Sequence, residues 1–263
     1  MKTKFKILGC GYSLGVPRID GWWGSCDKNN IKNLRTRCSA IILKGNNSVL
    51  IDTSPDIKKQ LVDNNIKKVS SVIYTHEHAD QTSGLFELRP LTWLPNKPIW
   101  TQNKPINVYS NKKTMKYLKQ RFDYCFKSKK HYPLIVKGNL IKKKFVLGNK
   151  DSKINFKSFE VIHGATKSVA LVFEKTAYIS DCNDLTIIKK KELKNLNYLI
   201  LDCLKIKDNW AHFDLNQCLY IHKKLAPKKT ILTNLHADLD YEYLRKNLPM
   251  GVLPAYDGMT LNL

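Results

Sequence analysis

Thr75-His76-Glu77-His78-Ala79-Asp80 directly follows the β-rich run Val69 to Tyr74. The spacing puts two imidazoles and a carboxylate at alternate positions on a loop leaving a strand end, where they can converge on one point. Imidazole nitrogen and carboxylate oxygen are the donors that zinc and similar divalent ions take. Two ligands two residues apart cannot close a metal site, so further ligands are expected at later strand ends. Three residues fit. His163 follows Phe159-Glu160-Val161-Ile162, Asp181 follows Tyr178-Ile179-Ser180, and His236 follows Ile231-Leu232-Thr233-Asn234-Leu235. Each alone reads as a turn residue or a helix cap. Their repetition after the first cluster favours one shared site.

Working outward, apolar alternation predicts a first strand over Lys4 to Leu8 and then a long polar loop from Gly9 to Arg37. A loop of that length is usually functional. Ser39 to Leu43 and Val49 to Asp52 read as a hairpin. Ser54, Pro55 and Asp56 form a helix start, with a cap, an N1 proline and an acid in the first turn, and the helix should run to about Asn65. Strands are expected at Asn107 to Tyr109, Ile154 to Ile162, Val169 to Phe173, Ala177 to Ser180, Tyr198 to Asp202 and Thr230 to Thr233, with strand-like pieces in the Lys-rich stretch Lys127 to Lys144. Helices are expected at Lys112 to Phe122, after the cap Asp214, and at Tyr241 to Asn247. Strands dominate both halves, and no repeat or low-complexity linker interrupts them. The pattern predicts one domain over residues 1–263, with two sheets face to face and helices outside.

A chain of 263 residues that is 43% hydrophobic and 25% charged is built to bury a core. No apolar run approaches the roughly 18 residues of a membrane helix, and the first residues carry no stretch long enough for a signal peptide, so a cytoplasmic location without membrane association is expected. Lys plus Arg number 45 against 22 Asp plus Glu, a net charge of +23. Such a surplus suits an anionic partner, nucleic acid or a phosphorylated small molecule. It is also what codon bias towards Lys and Asn produces. The seven cysteines are irregularly spaced with no C-x-x-C, which argues against a disulfide framework or a zinc knuckle. They are expected to be free, mostly buried thiols. Cys26 has no neighbouring partner, so no structural zinc is expected.

The order H-x-H-x-D, His, Asp, His resembles the metallo-β-lactamase superfamily. Five further segments narrow the likeness to the PhnP-like phosphodiesterases. They are Gly9-Cys10-Gly11-Tyr12-Ser13-Leu14-Gly15-Val16-Pro17, Arg35-Thr36-Arg37-Cys38-Ser39, Ile51-Asp52-Thr53-Ser54-Pro55-Asp56, Leu88-Arg89-Pro90 and Pro254-Ala255-Tyr256-Asp257-Gly258-Met259. The resemblance implies an α+β fold, a four-layer αββα sandwich, binding one or two divalent metal ions, zinc or manganese. It implies His76, His78 and His163 as ligands of a first metal, Asp80 and His236 as ligands of a second, and Asp181 as the bridging carboxylate. Where the family carries a further His after Asp80, this chain has Gln81, a weaker ligand that can coordinate or hold a water. His212, in Trp210-Ala211-His212-Phe213-Asp214, resembles the family's general acid, and it joins Asp80 as an expected catalytic residue. His222 is expected to pack within its helix, and His131 to be solvated in a basic loop.

The expected reaction is hydrolysis of a small, cyclic phosphodiester, with phosphoribosyl cyclic phosphate as one substrate the resemblance implies. Arg35, Arg37 and Arg89 are candidate phosphate contacts, because a guanidinium fork matches phosphate oxygens. The alternatives are a nucleic-acid phosphodiesterase resembling the tRNA 3′-processing enzymes, favoured by the charge but lacking an obvious protruding arm, and a non-catalytic metal- or nucleic-acid-binding protein with a weakened second site. Hydrolysis of a lactam or thioester is a further, weaker alternative. The expected partners are a small phosphorylated substrate, with nucleic acid as the alternative, and a second copy of the chain in a homodimer.

Overall fold

The computed structural model describes residues 1–93, 104–129, 132–207 and 209–263. Strands β1 (Lys4–Gly9), β2 (Ser39–Lys44), β3 (Asn47–Ile51), β4 (Ser71–Ile73), β5 (Ile106–Ser110) and β6 (Val136–Leu140) lie in one sheet. The second holds β7 (Lys144–Leu147), β8 (Ile154–His163), β9 (Thr166–Phe173), β10 (Thr176–Ile179), β11 (Tyr198–Asp202), β12 (Lys229–Thr233) and β13 (Val252–Pro254), and β14 (Thr260–Asn262) returns to pair with β1. The spatial orders are β14-β1-β2-β3-β4-β5-β6 and β13-β12-β11-β10-β9-β8-β7. Both are mixed. From β3 to β6 and from β10 to β13 neighbouring strands run parallel, which sends their C-terminal ends to the same side.

Parallel strands need both faces covered, and three apolar clusters provide the cover. Phe5, Ile42, Ile51 and Ile73 of the first sheet meet Phe156, Phe173, Tyr178 and Ile231 of the second in the layer between the sheets. Ile57 and Leu61 of α1 (Ile57–Asp63), with Met115 and Leu118, pack on the outer face of the first sheet. Cys218, Ile221 and Leu244 do so on the second. The short α2 (Ala79–Thr82) carries Asp80 directly after His78, and α3 (Lys112–Arg121), α4 (Leu215–Leu225) and α5 (Tyr241–Asn247) supply the outer layers. The result is the αββα sandwich expected. All seven cysteines are buried and unpaired.

Differences from the sequence-based expectations have physical causes. Helix α1 starts at Ile57, three residues after Ser54, whose hydroxyl accepts from Asp56 N and donates to Gln60 Oε1 (both 3.2 Å); Asp56 takes the N-cap position without a side-chain cap bond, its carboxylate held by Arg37. It ends at Asp63, where Asn64 caps and Asn65 turns left-handed at φ 53°. Strands β13 and β14 have three residues each, too few for an alternation signal. The Asp214 helix starts as expected, with Asp214 and Gln217 forming a reciprocal capping box. His222 packs within it, its Nδ1 2.9 Å from Thr230 Oγ1. His131 lies outside the described residues.

Arg35 is not placed to contact a phosphate. Arg35 is 1% exposed. Its guanidinium donates to the carbonyls of His236 (3.1 Å) and Leu239 (2.6 Å), to Asn33 Oδ1 (3.1 Å) and to Cys26 Sγ (3.7 Å). It ties the long loop before β2 to the chain beyond β12. Arg37 is held by Asp56 through Nε and Nη2, both at 2.7 Å. Arg89 lies over the Tyr132 ring at 4.5 Å, beside the outer layer of the first sheet. Arg35→Ala strands two buried carbonyls as well as losing charge-assisted bonds. It is expected to lower unfolding stability by about 3 kcal/mol, read from urea unfolding, while Arg35→Lys recovers only part of the loss.

Candidate metal centre

Strand ends from both sheets deliver the site. The chain leaving β4 carries His76 and His78, β8 ends on His163, and Asp181 lies two residues past the end of β10. The ring centroids of His76, His78 and His163 lie 4.6, 5.0 and 5.0 Å apart. One ligand atom from each can be chosen so that all lie within 4.8 Å, and His163, Asp181 and His212 form a second such group.

Outer hydrogen bonds fix the tautomers. Thr75 Oγ1 donates to Asp52 Oδ2 (2.8 Å), so it accepts from His76 Nδ1 (3.0 Å). The lone pair of His76 is thereby placed on Nε2, a fully buried atom without a hydrogen-bond partner. His163 Nδ1 donates to the Ala211 carbonyl (2.8 Å), which turns Nε2 inward to within 3.2 Å of His78 Nδ1. Two imidazole nitrogens that close share either a proton or a cation. Burial, with His163 and His78 nearby, pushes His76 down to about 3, so it is neutral at physiological pH, the form that ligates metal. Burial would raise Asp181, but His76, His163 and His212 outweigh it and hold the carboxyl below its ordinary range. An orphaned buried nitrogen, three oriented imidazoles and an anion together fit a divalent cation.

Asp80 lines the same cleft and is pushed up to about 6 by burial and by Asp181. Gln81 is buried beside it, its Nε2 donating to Asp80 Oδ2 at 3.1 Å. His236 stands outside the gathered ligand groups among the described residues. Its ring packs against Tyr12, with centroids 4.4 Å apart, and its Nδ1 faces Asp238 Oδ2 at 3.1 Å.

His212 lines the cleft too. Its ring lies 4.5 Å from that of His163, and its Nδ1 is 2.8 Å from Oδ2 of Asp202, a fully buried residue at the end of β11. Burial disfavours the imidazolium, but Asp202, then Asp181 and Asp80, prevail and push His212 up to about 9.

Three partners were missed at the sequence level. Asp202 and Asn234 stand at strand ends, the position that signalled the other ligands, and Asn234 Nδ2 donates to Asp202 Oδ1 (3.0 Å). Glu77 accepts from Thr166 Oγ1 (2.7 Å) and Thr114 Oγ1 (3.3 Å) and pairs with Lys113, clamping the His76–His78 loop between α3 and the β8–β9 turn. The long loop before β2 brings Tyr12 and Ser13 to the same cleft.

The family model for the beta-lactamase superfamily domain matches residues 47–234. The chain belongs to the beta-lactamase superfamily. Within it, a crystal structure described as a new diphosphatase from the PhnP family is 31% identical, with 100% of this chain and 98% of that one covered at a TM-score of 0.84. That likeness places the chain on the PhnP branch of the superfamily. Two more distant superfamily folds are Zn(2+)-bound PqqB from Methylobacterium extorquens (16% identical, 99% and 100% covered, TM-score 0.74) and the short form of human tRNase Z (15% identical, 98% of each covered, TM-score 0.65). A curated relative, an octanoyltransferase of Porphyromonas gingivalis, is 26% identical over 257 residues. The match takes in 96% of this chain and 50% of that protein, so the chain spans about half the length of the curated relative it matches. Among the described residues no helix of this superfamily member is long and apolar enough to cross a membrane.

Proposed function

We propose that the chain is a metal-dependent hydrolase of a small phosphodiester, a cyclic one among the substrates it accepts. The observation that carries this reading is the convergence of His76, His78 and His163 in one cleft with the His212–Asp202 pair. The cleft measures about 540 Å³, within the range of small-molecule sites. His76, His78 and His163, with Asp181 beside them, would hold the cation. Zinc or manganese bound there supplies Lewis acidity, which polarises a phosphoryl oxygen and ionises water near neutral pH.

The protein's own groups do the rest. Asp202 orients His212 and keeps its proton, leaving Nε2 to donate to the departing alkoxide, a role worth about 10²–10⁴-fold. Among the residues that line the cleft, cationic charge comes from His212 and from Lys113, itself paired with Glu77. Hydrolysis of a diphosphate bond is the second reading, favoured by the relative named a diphosphatase.

Turnover of bis(p-nitrophenyl) phosphate, a 2′,3′-cyclic nucleotide, a dinucleoside diphosphate and a short RNA tests these readings side by side. Cleavage of the small esters with shallow salt dependence is expected. Preference for the diphosphate supports the second reading. Preference for RNA, with rates collapsing as salt rises, contradicts both.

A further inference from the structure

The neighbourhood of Asp80 and Asp181 is furnished with carboxamides where a second cation would need donors with free lone pairs. Gln81 Nε2, besides its bond to Asp80, lies 3.5 Å from Asp181 Oδ2, and its Oε1 is buried without a partner. Asn234, the first residue after β12, turns left-handed at φ 62°. Its Nδ2 donates to the Ser180 carbonyl (3.1 Å) and to Asp202 Oδ1, and lies 3.5 Å from Asp181 Oδ1. Each oxygen of Asp181 therefore has an amide NH₂ beside it. An amide nitrogen is a donor only and offers no lone pair to a cation. His236, two residues beyond Asn234, stands outside the gathered ligand groups among the described residues, its Nδ1 turned to Asp238.

We propose that this chain binds a single divalent cation, on His76, His78 and His163 beside Asp181, and that the amides of Gln81 and Asn234 take the place of a second one by satisfying Asp80 and Asp181. The proposal rests on the metal-dependent reading above. Its consequence is that the two carboxylates are held by neutral donors whatever the metal supply.

The test is metal stoichiometry. The full chain is stripped with chelator, equilibrated with excess Zn²⁺ or Mn²⁺, desalted and assayed for ions per chain, with the electron paramagnetic resonance spectrum of the manganese form alongside. One ion per chain and the six-line spectrum of an isolated Mn²⁺ are expected. The double variant Gln81→His with Asn234→His is expected to take up two ions and to show exchange coupling. Two ions in the unsubstituted chain overturn the one-ion proposal and leave the metal-dependent reading standing. No ion overturns that reading itself. A folded double variant that still binds one ion overturns the assignment of the second place to these amides.

Discussion

Replacing His76 by alanine is expected to lower phosphodiester turnover by about 10³-fold or more and to strip the chain of its cation. The size follows from what disappears. A bound divalent ion lowers the pKa of water from about 15.7 towards 7, and no side chain in the cleft supplies that acidity. His76 is the most completely committed ligand, with its ring fully buried, its Nδ1 held by Thr75 and Asp52, and its Nε2 left without a partner. Folding need not suffer to the same degree, because the shortened side chain takes an orphaned nitrogen out of the interior. The check is turnover, metal content and thermal midpoint measured on one preparation. Unchanged turnover in a folded H76A chain would remove His76 from the site.

His212→Asn carries the second large effect, a fall in kcat of about 10²–10⁴-fold with the ion retained. His212 is not needed to complete the trio of imidazoles, so its loss separates proton delivery from metal binding. Leaving-group dependence sharpens the distinction. An ester with a p-nitrophenolate leaving group needs little protonation and should lose least, and an alkyl ester should lose most.

The pH profile tests the partner. A general acid works while protonated, so kcat falls as pH rises through its pKa. Asp202 is the anion that raises His212. Asp202→Asn should therefore move the alkaline limb to lower pH without loss of bound metal. An alkaline limb that stays in place would detach His212 from the proton transfer.

The convergence of the His76–Asp80 cluster was legible because its signal is local. H-x-H-x-D after an apolar strand fixes which side chains alternate at the strand end, and His163 and Asp181 follow the same rule one strand at a time. After β12, residue type and register point to different residues. His236 looked like a ligand, yet β12 ends at Thr233 and the next residue, Asn234, is the one beside Asp181. Arg35 departs from its expectation for another reason. Sequence cannot distinguish a guanidinium that solvates carbonyls in the interior, as Arg35 does, from one that awaits a phosphate. Helix α1 differs at its start, where Ser54, the expected cap, turns its hydroxyl to Gln60, and Asp56, the expected first-turn acid, is engaged through both oxygens by Arg37, 19 positions earlier. At Arg35 and at the start of α1 a long-range pairing overrides a sound local preference.

The central claim is that a cation held by the three imidazoles makes this cleft a hydrolase. It is tested most directly by titrating the chelator-stripped chain with Zn²⁺ or Mn²⁺ while reading bound ion and bis(p-nitrophenyl) phosphate turnover together. Turnover should rise in step with the first ion bound and stay at background in the H76A chain. Full turnover from the stripped chain, or ion uptake undiminished in H76A, would contradict it.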